Sequence, residues 1–532
     1  MKAIFISIYL FVFMSQFAHA QLWEHYYGKP DYMDHSAFFM ETYDGGYVCG
    51  GGSTVIPLTY TRIRLFKLDR NGDTLWTKLL TSNFTNYTVS INTTLDGGIV
   101  GAGAIYPEDI SGASKPMAYK LNACGELEWC TYFETDRELP WAHSILETED
   151  GDYMLTLNSF GDYHIENTFL VKLDANGQVI WAKPVINHDT YPDAFNPLSE
   201  RMIKTENGDY MISGRVYWKN PWDERILIRP YYALFDAQGE EQWVTPFGVT
   251  DSLLGHAYGC IEIESDHFMC AARQYLSSLQ HGFIIELDGD GNILQHRSIG
   301  PGEIDDDCYS MFFRDIEQIG DTLVLSMPYL VTSSNSDPAI LSIDMDVFNG
   351  ELDILSLRTF PDKMSFHHIN KTSDNKIFSG KRHRVAGYDT DMYITKMNAM
   401  LVTDSTCEDN NTYDSLCPYP ISYSEVFLGN CNIITDITEL AFPVGKENDN
   451  KPAFHILPNP GTNVMRLQFE EPVISKNLDI KVVSMFGSLM LQTNISTKNQ
   501  EDMDISNLPK GIYMVLVYSN GILLGTQKLI KL

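Results

Sequence analysis

The sequence predicts an all-β protein, a seven-bladed β-propeller followed by a small C-terminal β domain. The main observation is a repeated phrase in which Leu-Asp leads to a turn glycine and then to tryptophan, as in LDRNGDTLW at 68–76 and LDANGQVIW at 173–181. The turn glycines fall at positions 72, 125, 177, 239, 291 and 350, so the repeat is 52–62 residues long. A period of this size indicates a solenoid or a propeller.

Each period divides into four short strands of alternating apolar and polar residues. In the third repeat we predict strands at 143–149, 153–158, 169–174 and 179–185. Asp150-Gly151 joins the first two and Asn176-Gly177 joins the last two, and such dipeptides are strong signals for tight hairpin turns. Four strands repeated in this way are typical of a propeller blade, whereas a linear β-solenoid would need shorter and more regular rungs.

The recurrent tryptophan is expected to pack between neighbouring sheets, as core rather than as a row of ligand-stacking aromatics. The seventh repeat offers three strands, at 367–372, 376–381 and 391–398, but it lacks the last turn and the tryptophan strand. Residues 21–28, QLWEHYYG, are similar to such a strand and have no partners of their own. We therefore predict that they complete the last blade, with Trp23 in the position that Trp76 takes in the first.

The chain is expected to have four segments. Residues 1–20 have the features of a secretory signal peptide, with Lys2, an apolar run at 4–14 and a small-x-small cleavage site at 18–20. Residues 21–402 form the propeller, 403–450 a linker, and 451–532 a C-terminal module with strands at 465–469, 480–483 and 512–517. No later stretch approaches the roughly 18 apolar residues of a membrane-spanning helix, so no transmembrane segment is predicted.

The charge balance argues against one class of partner. The chain has 70 Asp and Glu against 38 Lys and Arg, and a formal net charge of −32. Such a field repels nucleic acid and favours cations or basic partners. An acidic surface that keeps an exported protein soluble also accounts for it.

Nine cysteines are too few for a disulfide-framed scaffold of this length. Cys260 and Cys270 are expected to face each other across a hairpin, and Cys407 and Cys417 are candidates for a second pair. No CxxC motif is present, so neither a zinc site nor a redox motif is predicted. The cysteines expected to be small apolar core residues are Cys49, Cys124, Cys130 and Cys308.

The C-terminal segment carries several motifs in a fixed order. It opens with FHILPNPGTN, continues through IKVVSMFGSLM and DISNLPKGIYMVLV, and closes with QKLIKL. Over about 80 residues it closely resembles the type A C-terminal sorting domain of the type IX secretion system of Bacteroidetes. The residues that carry the resemblance are Pro458, Asn459, Pro460, Gly487, Leu508, Gly511, Ile512, Tyr513, Lys528 and Lys531.

The resemblance implies a small β-sandwich that directs the protein from the periplasm across the outer membrane. It implies the type IX machinery as a partner, and a mature protein that is secreted or held at the outer-membrane surface. The alternative is an ordinary terminal β-sandwich used for binding. The repeat region is similar to propeller-like repeats of exported bacterial proteins, and that likeness implies no activity.

The loops predict where a ligand would bind. Those joining strands two and three, and blade to blade, are long and variable, and they emerge on one face of a propeller, where function tends to lie. The loop at 217–229 is the most aromatic of them, and Trp and Arg are enriched at binding hot spots. Alternatively, the loop folds over its own aromatics. The candidate ligand-binding residues are Trp141, Trp218, Trp222, Arg225 and Asp305.

No catalytic residue, cofactor or metal site is predicted. The LDGDGN turn places Asp288 at the first position of a calcium loop, but Ile293 and Ile299 stand where such a loop needs Gly and Glu. His367 and His368 are adjacent on a predicted strand, so they point to opposite faces and cannot share a metal. The motifs GxSxG, HExxH and the P-loop are absent from the sequence.

The favoured function is that of an exported or surface-held monomer that binds a protein, peptide or glycan without catalysis. The alternative is a secreted hydrolase or lyase with its active site on the variable loop face, and a structural role in a surface layer is a third. An enzyme should show carboxylates or histidines with perturbed pKa values in a central funnel. A binding module should show a shallow aromatic patch.

Overall fold

The computed structural model shows a chain that is almost entirely β-strand and that divides into two units, residues 1–437 and 438–532. It describes residues 22–55, 60–106, 114–134, 138–160, 168–187, 190–191, 193–219, 226–246, 254–276, 279–306, 308–332, 335–364, 368–387, 389–405, 416–417, 423–429, 431–435, 454–469, 478–484, 489–495, 500–519 and 522–532. No helix within these ranges is both long enough and apolar enough to cross a membrane.

The first unit is made of short strands. They are β1 (Glu24–Tyr27), β2 (Tyr32–Glu41), β3 (Tyr47–Val55), β4 (Thr61–Leu68), β5 (Thr74–Thr81), β6 (Asn86–Thr93), β7 (Ile99–Ile105), β8 (Lys115–Leu121), β9 (Leu127–Glu134), β10 (Glu138–Glu147), β11 (Tyr153–Phe160), β12 (Thr168–Leu173), β13 (Val179–Pro184), β14 (Ala194–Lys204), β15 (Tyr210–Lys219) and β16 (Ile226–Phe235). The list continues with β17 (Glu241–Pro246), β18 (Leu254–Glu264), β19 (His267–Leu276), β20 (Leu279–Asp288), β21 (Ile293–Ile299), the single turn α1 (Pro301–Ile304), β22 (Ser310–Met311), β23 (Asp315–Ile319), β24 (Thr322–Thr332), β25 (Asn335–Asp344), β26 (Ile354–Thr359), β27 (Lys363–Met364), β28 (Ile369–Lys371), β29 (Ile377–Ala386), β30 (Asp389–Met397), β31 (Tyr423–Phe427) and β32 (Asn432–Thr435).

Four-stranded antiparallel sheets follow one another along this unit. The third repeat forms the sheet β10-β11-β12-β13, whose strands coincide within a few residues with those predicted from the sequence. The sets β6–β9, β14–β17 and β18–β21 have the same order, and β22 or β23 begins the set that ends at β26. The alternation of apolar and polar residues therefore predicts the strands of the repeat correctly.

An aspartate or asparagine builds the turn before the fourth strand. Asp69 Oδ1 accepts hydrogen bonds from the backbone N–H groups of Asn71 at 2.8 Å and Asp73 at 2.9 Å, and Gly72 has a φ of 86°. Because an Asx turn of this kind needs both the side-chain acceptor and a residue with positive φ, the repeated phrase is a turn-forming sequence. The same turn recurs at Asn122, Asp174, Asp236 and Asp288.

A lysine joins the two tight turns of several sheets. It stands directly before the Leu-Asp phrase, or its equivalent, and reaches an aspartate in the turn between the first two strands. Some of the acidic residues that exceed the basic ones in number are therefore turn residues with a structural role. The pairs and their N–O distances are Lys67–Asp44 at 2.6 Å, Lys120–Asp96 at 2.8 Å, Lys172–Asp150 at 2.8 Å and Lys396–Asp374 at 2.7 Å.

The tryptophan of one sheet covers the turn of the next. A Cβ added to Gly177 would lie 2.5 Å from the ring of Trp129, so this glycine is needed for space as well as for its positive φ. Trp243 Nε1 donates a hydrogen bond to the Gly289 carbonyl at 2.7 Å. Trp76 is only 3% exposed. The tryptophans therefore pack between sheets, as the sequence predicts.

The N-terminal segment pairs with a strand from the other end of the repeats. β1 runs antiparallel to β30, with Glu24 opposite Thr395 and Tyr27 opposite Met392. The ring of Trp23 is buried, and its Nε1 donates a hydrogen bond to the carbonyl of Arg70 at 2.7 Å, in the first Asx turn. Trp23 thus covers the turn of the following sheet in the way that Trp243 does.

Apolar side chains fill the spaces between consecutive sheets. One core joins β2–β5 to β6–β9, another joins β18–β21 to β22–β26, and a third joins β29 and β30 to β2–β4. The first strands of successive sets lie side by side, from β2 through β6, β10, β14, β18 and β23 to β28. Sheets packed in this way form a propeller-type fold. A bridge between Met33 and Thr390 merges the first and last sets, so the described sheets of this unit number six and the count of seven blades stays a prediction.

The strap, as we call it, comprises the described residues 416–417, 423–429 and 431–435 that follow the last repeat. β31 adds in parallel to β5, with Tyr423 opposite Thr77, and β32 adds in parallel to β9, with Asn432 opposite Thr131. Two disulfides, Cys124–Cys417 and Cys130–Cys431, hold the strap to the second sheet and its turn. The strap therefore covers two outer edges that the fourth strands would otherwise expose.

The cysteine predictions are partly wrong. Cys124 and Cys130 are disulfide-bonded rather than apolar core residues, and Cys417 pairs with Cys124, whereas Cys407 lies outside the described residues. The reason is that the strap returns to the second sheet from far along the chain. Among the remaining cysteines, Cys49, Cys260, Cys270 and Cys308 are buried free thiols, and Cys260 does stand opposite Cys270 across its hairpin.

The second unit is a sandwich of two antiparallel sheets. Its strands are β33 (Phe454–Leu457), β34 (Val464–Phe469), β35 (Leu478–Ser484), β36 (Leu489–Ile495), β37 (Gln500–Asp504), β38 (Gly511–Ser519) and β39 (Ile522–Lys531). One sheet has the order β33-β34-β37 and the other β36-β35-β38-β39. Phe454 and Leu467 of the first sheet share a core with Ile480, Val482 and Val515 of the second. The unit thus has a hydrophobic core of its own.

Candidate functional site

Three arginines come together where the sheets β14–β17, β18–β21 and β22–β26 meet. Arg215 lies on β15, Arg273 on β19, and Arg314 directly before β23. All three are close enough to His256 on β18 for their charges to lower the pKa of its imidazole. We call Arg215, His256, Arg273 and Arg314 the arginine cluster.

Strand register and one contact between sheets bring these residues together. His256 stands directly opposite Arg273 in the β18–β19 pair. The backbone N–H of Gly259, on β18, donates a hydrogen bond to the carbonyl of Arg314 at 3.2 Å. A Cβ on Gly259 would collide with Asp315, so glycine at this position allows the two sheets to approach closely.

Aromatic rings lie against the guanidinium groups. The centroid of Phe312 is 4.5 Å from the guanidinium carbon of Arg273 and 5.2 Å from that of Arg314. Tyr275 lies 4.4 Å from Arg273, and Tyr258 lies 4.6 Å from Arg314. Cation–π contacts of this kind hold the guanidinium groups in place without using their hydrogen-bond donors.

His256 is the uncharged centre of the cluster. Its Nδ1 lies 3.3 Å from the hydroxyl of Tyr258 and its Nε2 lies 3.5 Å from the hydroxyl of Tyr275. Burial, and then the positive charges of the three arginines, lower the pKa of His256 to about 3. The imidazole is therefore neutral at physiological pH, with one nitrogen that donates and one that accepts a hydrogen bond.

Glu200 on β14 is the acidic group of this region. Burial raises the pKa of its carboxyl, although Arg314, Arg215 and His368 oppose the change. His143 on β10 is half-buried, and burial, together with the charge of His368, lowers its pKa to about 4. A carboxyl with a raised pKa can serve general acid–base chemistry, whereas imidazoles with pKa values of about 3 and 4 are weak bases at neutral pH.

Asp315, next to the cluster in sequence, has a structural role. It is 1% exposed, forms an ion pair with Arg201 of β14, and accepts a hydrogen bond from the backbone N–H of Ile369 at 3.1 Å. His368 Nδ1 lies 3.4 Å from the same carboxylate. Because these partners come from β14 and from the segment that begins β28, Asp315 joins three sets of strands.

The residues predicted to bind ligand lie on separate elements. Trp141 is half-buried on β10 opposite Asn158, and Asp305 follows α1 and accepts a hydrogen bond from the Tyr329 hydroxyl at 2.9 Å. Trp218 packs against an apolar core, 5.5 Å from the guanidinium carbon of Arg229. Trp222 and Arg225 lie outside the described residues. A joint ligand-binding role for these five residues stays a prediction.

The predicted loop at 217–229 is shorter than expected. Residues 217–219 end β15 and residues 226–229 begin β16, so Trp218 belongs to a strand. The sequence prediction fails here because β15 and β16 stay paired as far as Lys219 and Ile226. This pairing extends beyond the residues whose apolar and polar side chains alternate regularly.

The arginine cluster itself is not predicted from the sequence. Its members are spread over about two repeats and form no short motif. The available signal is weak: single arginines interrupt the apolar stretches CAARQY and MFFRDI. These arginines can be recognised as one cluster only when the packing of the sheets that carry them is known.

A cavity of about 670 Å³ lies towards the other end of the first strands. Glu41, Glu147 and Lys204 are among its lining residues. Glu41 accepts a hydrogen bond from the backbone N–H of Ser373 and Glu147 from that of Leu95, both at 2.6 Å. The carboxylates of this cavity therefore connect neighbouring sheets. Across the described ranges, no group of three His, Cys, Asp or Glu residues is arranged to hold a metal ion.

Several residues of the C-terminal motif are bonded within the sandwich. Ile530 N–H donates to Asn459 Oδ1 at 2.9 Å, and Asn459 Nδ2 donates to the carbonyl of Lys528. Tyr513 is buried, and its hydroxyl donates to the Pro509 carbonyl at 2.7 Å. Gly511 opens β38 opposite Lys531. Pro458 and Pro460 flank Asn459 between β33 and β34, Lys528 is exposed, and Gly487 lies outside the described residues.

The comparison with protein families identifies the second unit. Residues 455–532 match the family described as the secretion system C-terminal sorting domain. This confirms the type IX sorting domain expected from the motifs, and the protein is therefore exported to the cell surface or beyond. No curated protein matches the chain in sequence.

Solved structures resemble the chain only remotely. A protein of unknown function from Dyadobacter fermentans is 10% identical, covering 70% of this chain and 97% of that chain, with a TM-score of 0.39. An ulvan lyase of polysaccharide lyase family PL25 is 10% identical, covering 69% and 96%, with a TM-score of 0.43. The β-propeller domain of the Trilobed protease from Pyrococcus furiosus is 11% identical, covering 71% and 100%, with a TM-score of 0.38. At these values the likeness carries no functional information.

Removing residues 451–532 is expected to leave the first unit folded and to stop its delivery. The strap and its disulfides remain in the shortened chain, whereas the sandwich core is lost as a whole. Cell fractionation should find the shortened protein in the periplasm, and its circular dichroism and melting profile should retain a cooperative β transition. Delivery to the surface at the level of the full chain would contradict this prediction.

Proposed function

We propose that the first unit is a binding module that holds a glycan against the arginine cluster. The observation that carries the proposal is the group of aromatic rings and hydrogen-bonding side chains at the junction of three sheets. Ligand sites in proteins are typically lined by aromatic side chains with a few polar groups that fix the orientation of the ligand. The half-buried ring of Tyr275 supplies the aromatic surface, and His256 and Glu200 are the polar groups. Tyr258 and Phe312 are buried around the guanidinium groups.

The proposal includes the route to the cell surface. Residues 1–20 act as a signal peptide for entry into the periplasm, and the sorting domain engages the type IX machinery of a Bacteroidetes host. The mature protein acts as a monomer, without a cofactor. Trp141, Trp218, Trp222, Arg225 and Asp305 are proposed as a second contact surface, to which strands β10 and β15 contribute Trp141 and Trp218.

Binding of a glycan is tested with the full mature chain on a glycan and peptide array, followed by titration of the best ligand. We expect Tyr275→Ala to weaken glycan binding by at least about tenfold, since a buried aromatic contact at the centre of a site is typically worth that much. Trp218→Ala is the matched variant for the predicted loop surface. Loss of binding in Trp218→Ala but not in Tyr275→Ala would place the ligand on the loops and contradict the proposal.

A hydrolase or lyase is the second candidate function. The raised pKa of Glu200 and the neutral imidazole of His256 between two tyrosine hydroxyls favour it. Incubating the protein with each glycan that binds, and following new reducing ends and the absorbance of unsaturated products, separates catalysis from binding alone.

A further inference from the structure

We propose that the ligand of the arginine cluster is an acidic glycan, whose carboxylate or sulfate groups are bound by Arg215, Arg273 and Arg314. This inference rests on the proposed glycan-binding function and assigns the chemical class of the ligand.

Within the described part of the chain, none of the three guanidinium groups forms an ion pair. Among the described residues, no carboxylate lies within ion-pair distance of Arg215, Arg273 or Arg314, although Arg64, Arg201, Arg297 and Arg358 all have one. Arg215 donates instead to the Tyr217 hydroxyl at 3.2 Å. Among the described residues, none accepts a hydrogen bond from the buried Nε groups of Arg273 and Arg314. The three arginines are half-buried as whole residues, so the cluster remains accessible to an anion.

Gathering three positive charges at one place is unfavourable unless an anion offsets their repulsion. After burial, the same charges lower the pKa of His256 further. The chain as a whole has a net charge of −32. A cationic cluster with no ion-paired carboxylate among the described residues is therefore a local exception in so acidic a protein. Its guanidinium groups suit the geometry of carboxylate and sulfate.

The surroundings favour a sugar as the carrier of these anionic groups. Tyr275 is half-buried and lies 4.4 Å from the guanidinium carbon of Arg273, so a pyranose ring can pack against it while its substituent meets an arginine. Tyr258 and Phe312 are buried and hold the guanidinium groups in place. The hydroxyl of Tyr275, beside Nε2 of His256, can bond a sugar hydroxyl in turn. An acidic peptide would satisfy the arginines but has less use for the aromatic faces, and it is treated as a separate outcome of the test.

Replacing Glu200 should affect the binding of an anion in the opposite direction to replacing an arginine. Its carboxyl is close enough to Arg215 and Arg314 for these charges to act on its pKa, yet neither arginine forms an ion pair with it. A negative group at this place opposes the binding of an anion. Neutralising it in Glu200→Gln should therefore strengthen the binding of an acidic glycan, whereas neutralising an arginine should weaken it.

The test is calorimetric titration of the full mature chain with four probes: oligogalacturonate, a sulfated oligosaccharide, a neutral cello-oligosaccharide and poly-glutamate. We expect at least one acidic oligosaccharide to bind at least about tenfold more tightly than the neutral one, with affinity falling as salt is added. Arg273→Gln and Arg314→Gln should each weaken that binding about tenfold or more. Arg384→Gln, which removes the same charge from an exposed site, should not change it.

Each other outcome is decisive. Equal or tighter binding of the neutral oligosaccharide at the Tyr275-dependent site would overturn the acidic-glycan inference and leave the proposed function standing. Poly-glutamate binding as tightly as the acidic sugars would assign the site to acidic peptides and overturn the inference. Binding of none of the probes or array glycans would overturn the inference and the proposed function together. If an arginine variant has a lowered melting temperature, the affinities of the unaltered chain for the four probes still show whether the site prefers acidic glycans.

Discussion

Replacing Asp315 by alanine is expected to lower the free energy of unfolding of the first unit by about 3–5 kcal/mol, the usual cost of removing one partner of a buried ion pair. The carboxylate is almost fully buried, and its loss leaves Arg201 without its acidic partner. It also removes the acceptor for the backbone N–H of Ile369. Because these bonds join three sets of strands, the loss acts on the packing between sheets.

The same carboxylate predicts a dependence on pH. Burial alone would raise the pKa of Asp315, but Arg201, His368 and the N–H of Ile369 together hold the pKa below its usual value. Since the folded-state pKa lies below that of the unfolded chain, the stabilisation is fully present above pH about 4 and is lost as the pH falls further. Asp315→Ala should therefore flatten the loss of stability in acid.

Denaturant unfolding at several pH values measures both effects. Asp290→Ala is the matched control, because Asp290 lies exposed in a tight turn and its side chain forms no hydrogen bond or ion pair with the described residues. This control should change the free energy of unfolding by less than about 0.5 kcal/mol. A change of similar size in both variants would show that Asp315 does not hold the sheets together.

Removing both disulfides of the strap is expected to cost more than the sum of removing each one alone. The bonds Cys124–Cys417 and Cys130–Cys431 span 293 and 301 residues of sequence. When one is cut, the other still holds the strap, and only a ring of about 20 residues opens, for a cost of about 3 kcal/mol. When both are cut, no disulfide closes the long loop between the second sheet and the strap. The conformational entropy of the unfolded chain then rises by the full loop-closure contribution.

The measurement is denaturant unfolding of the two pair variants, Cys124→Ala/Cys417→Ala and Cys130→Ala/Cys431→Ala, and of the fourfold variant. The pair Cys260→Ala/Cys270→Ala is the control, because these two thiols face each other in the core without forming a disulfide bond. Reductant should destabilise the unaltered chain but not the fourfold variant. If the fourfold variant loses no more than either pair variant, the strap is held by its strand pairing and not by the disulfides.

The repeat could be predicted from the sequence because its determinants are local. Asp69 and Gly72 lie within one turn, and each supplies what an Asx turn needs, an acceptor and a positive φ. Strand alternation between such turns then follows with few choices, as β10–β13 show. The tryptophan contact reaches only to the next repeat, so its role could be inferred from the repetition itself.

Features that depend on distant parts of the chain could not be predicted. The strap pairs in parallel with β5 and β9 across more than half of the sequence, and no periodicity within 416–435 indicates those partners. The arginine cluster has the same origin, since Arg215, Arg273 and Arg314 meet only when three sheets pack together. Local patterns determine which segments are strands, whereas tertiary packing determines which isolated side chains become neighbours.

The pairing of β1 with β30 has a consequence for how the protein matures. A chain that leaves the ribosome or crosses a membrane from its N-terminus presents Trp23 early and Ile394 only after nearly all of the repeats, yet these two residues share one core. β1 therefore has no partner strand until nearly all of the repeats, including β30, have emerged. Contacts so distant in sequence form slowly, because the loop between them must close first. Completion of the first unit is thus a late event, and a chain interrupted before its last repeat keeps an unpaired strand at its beginning.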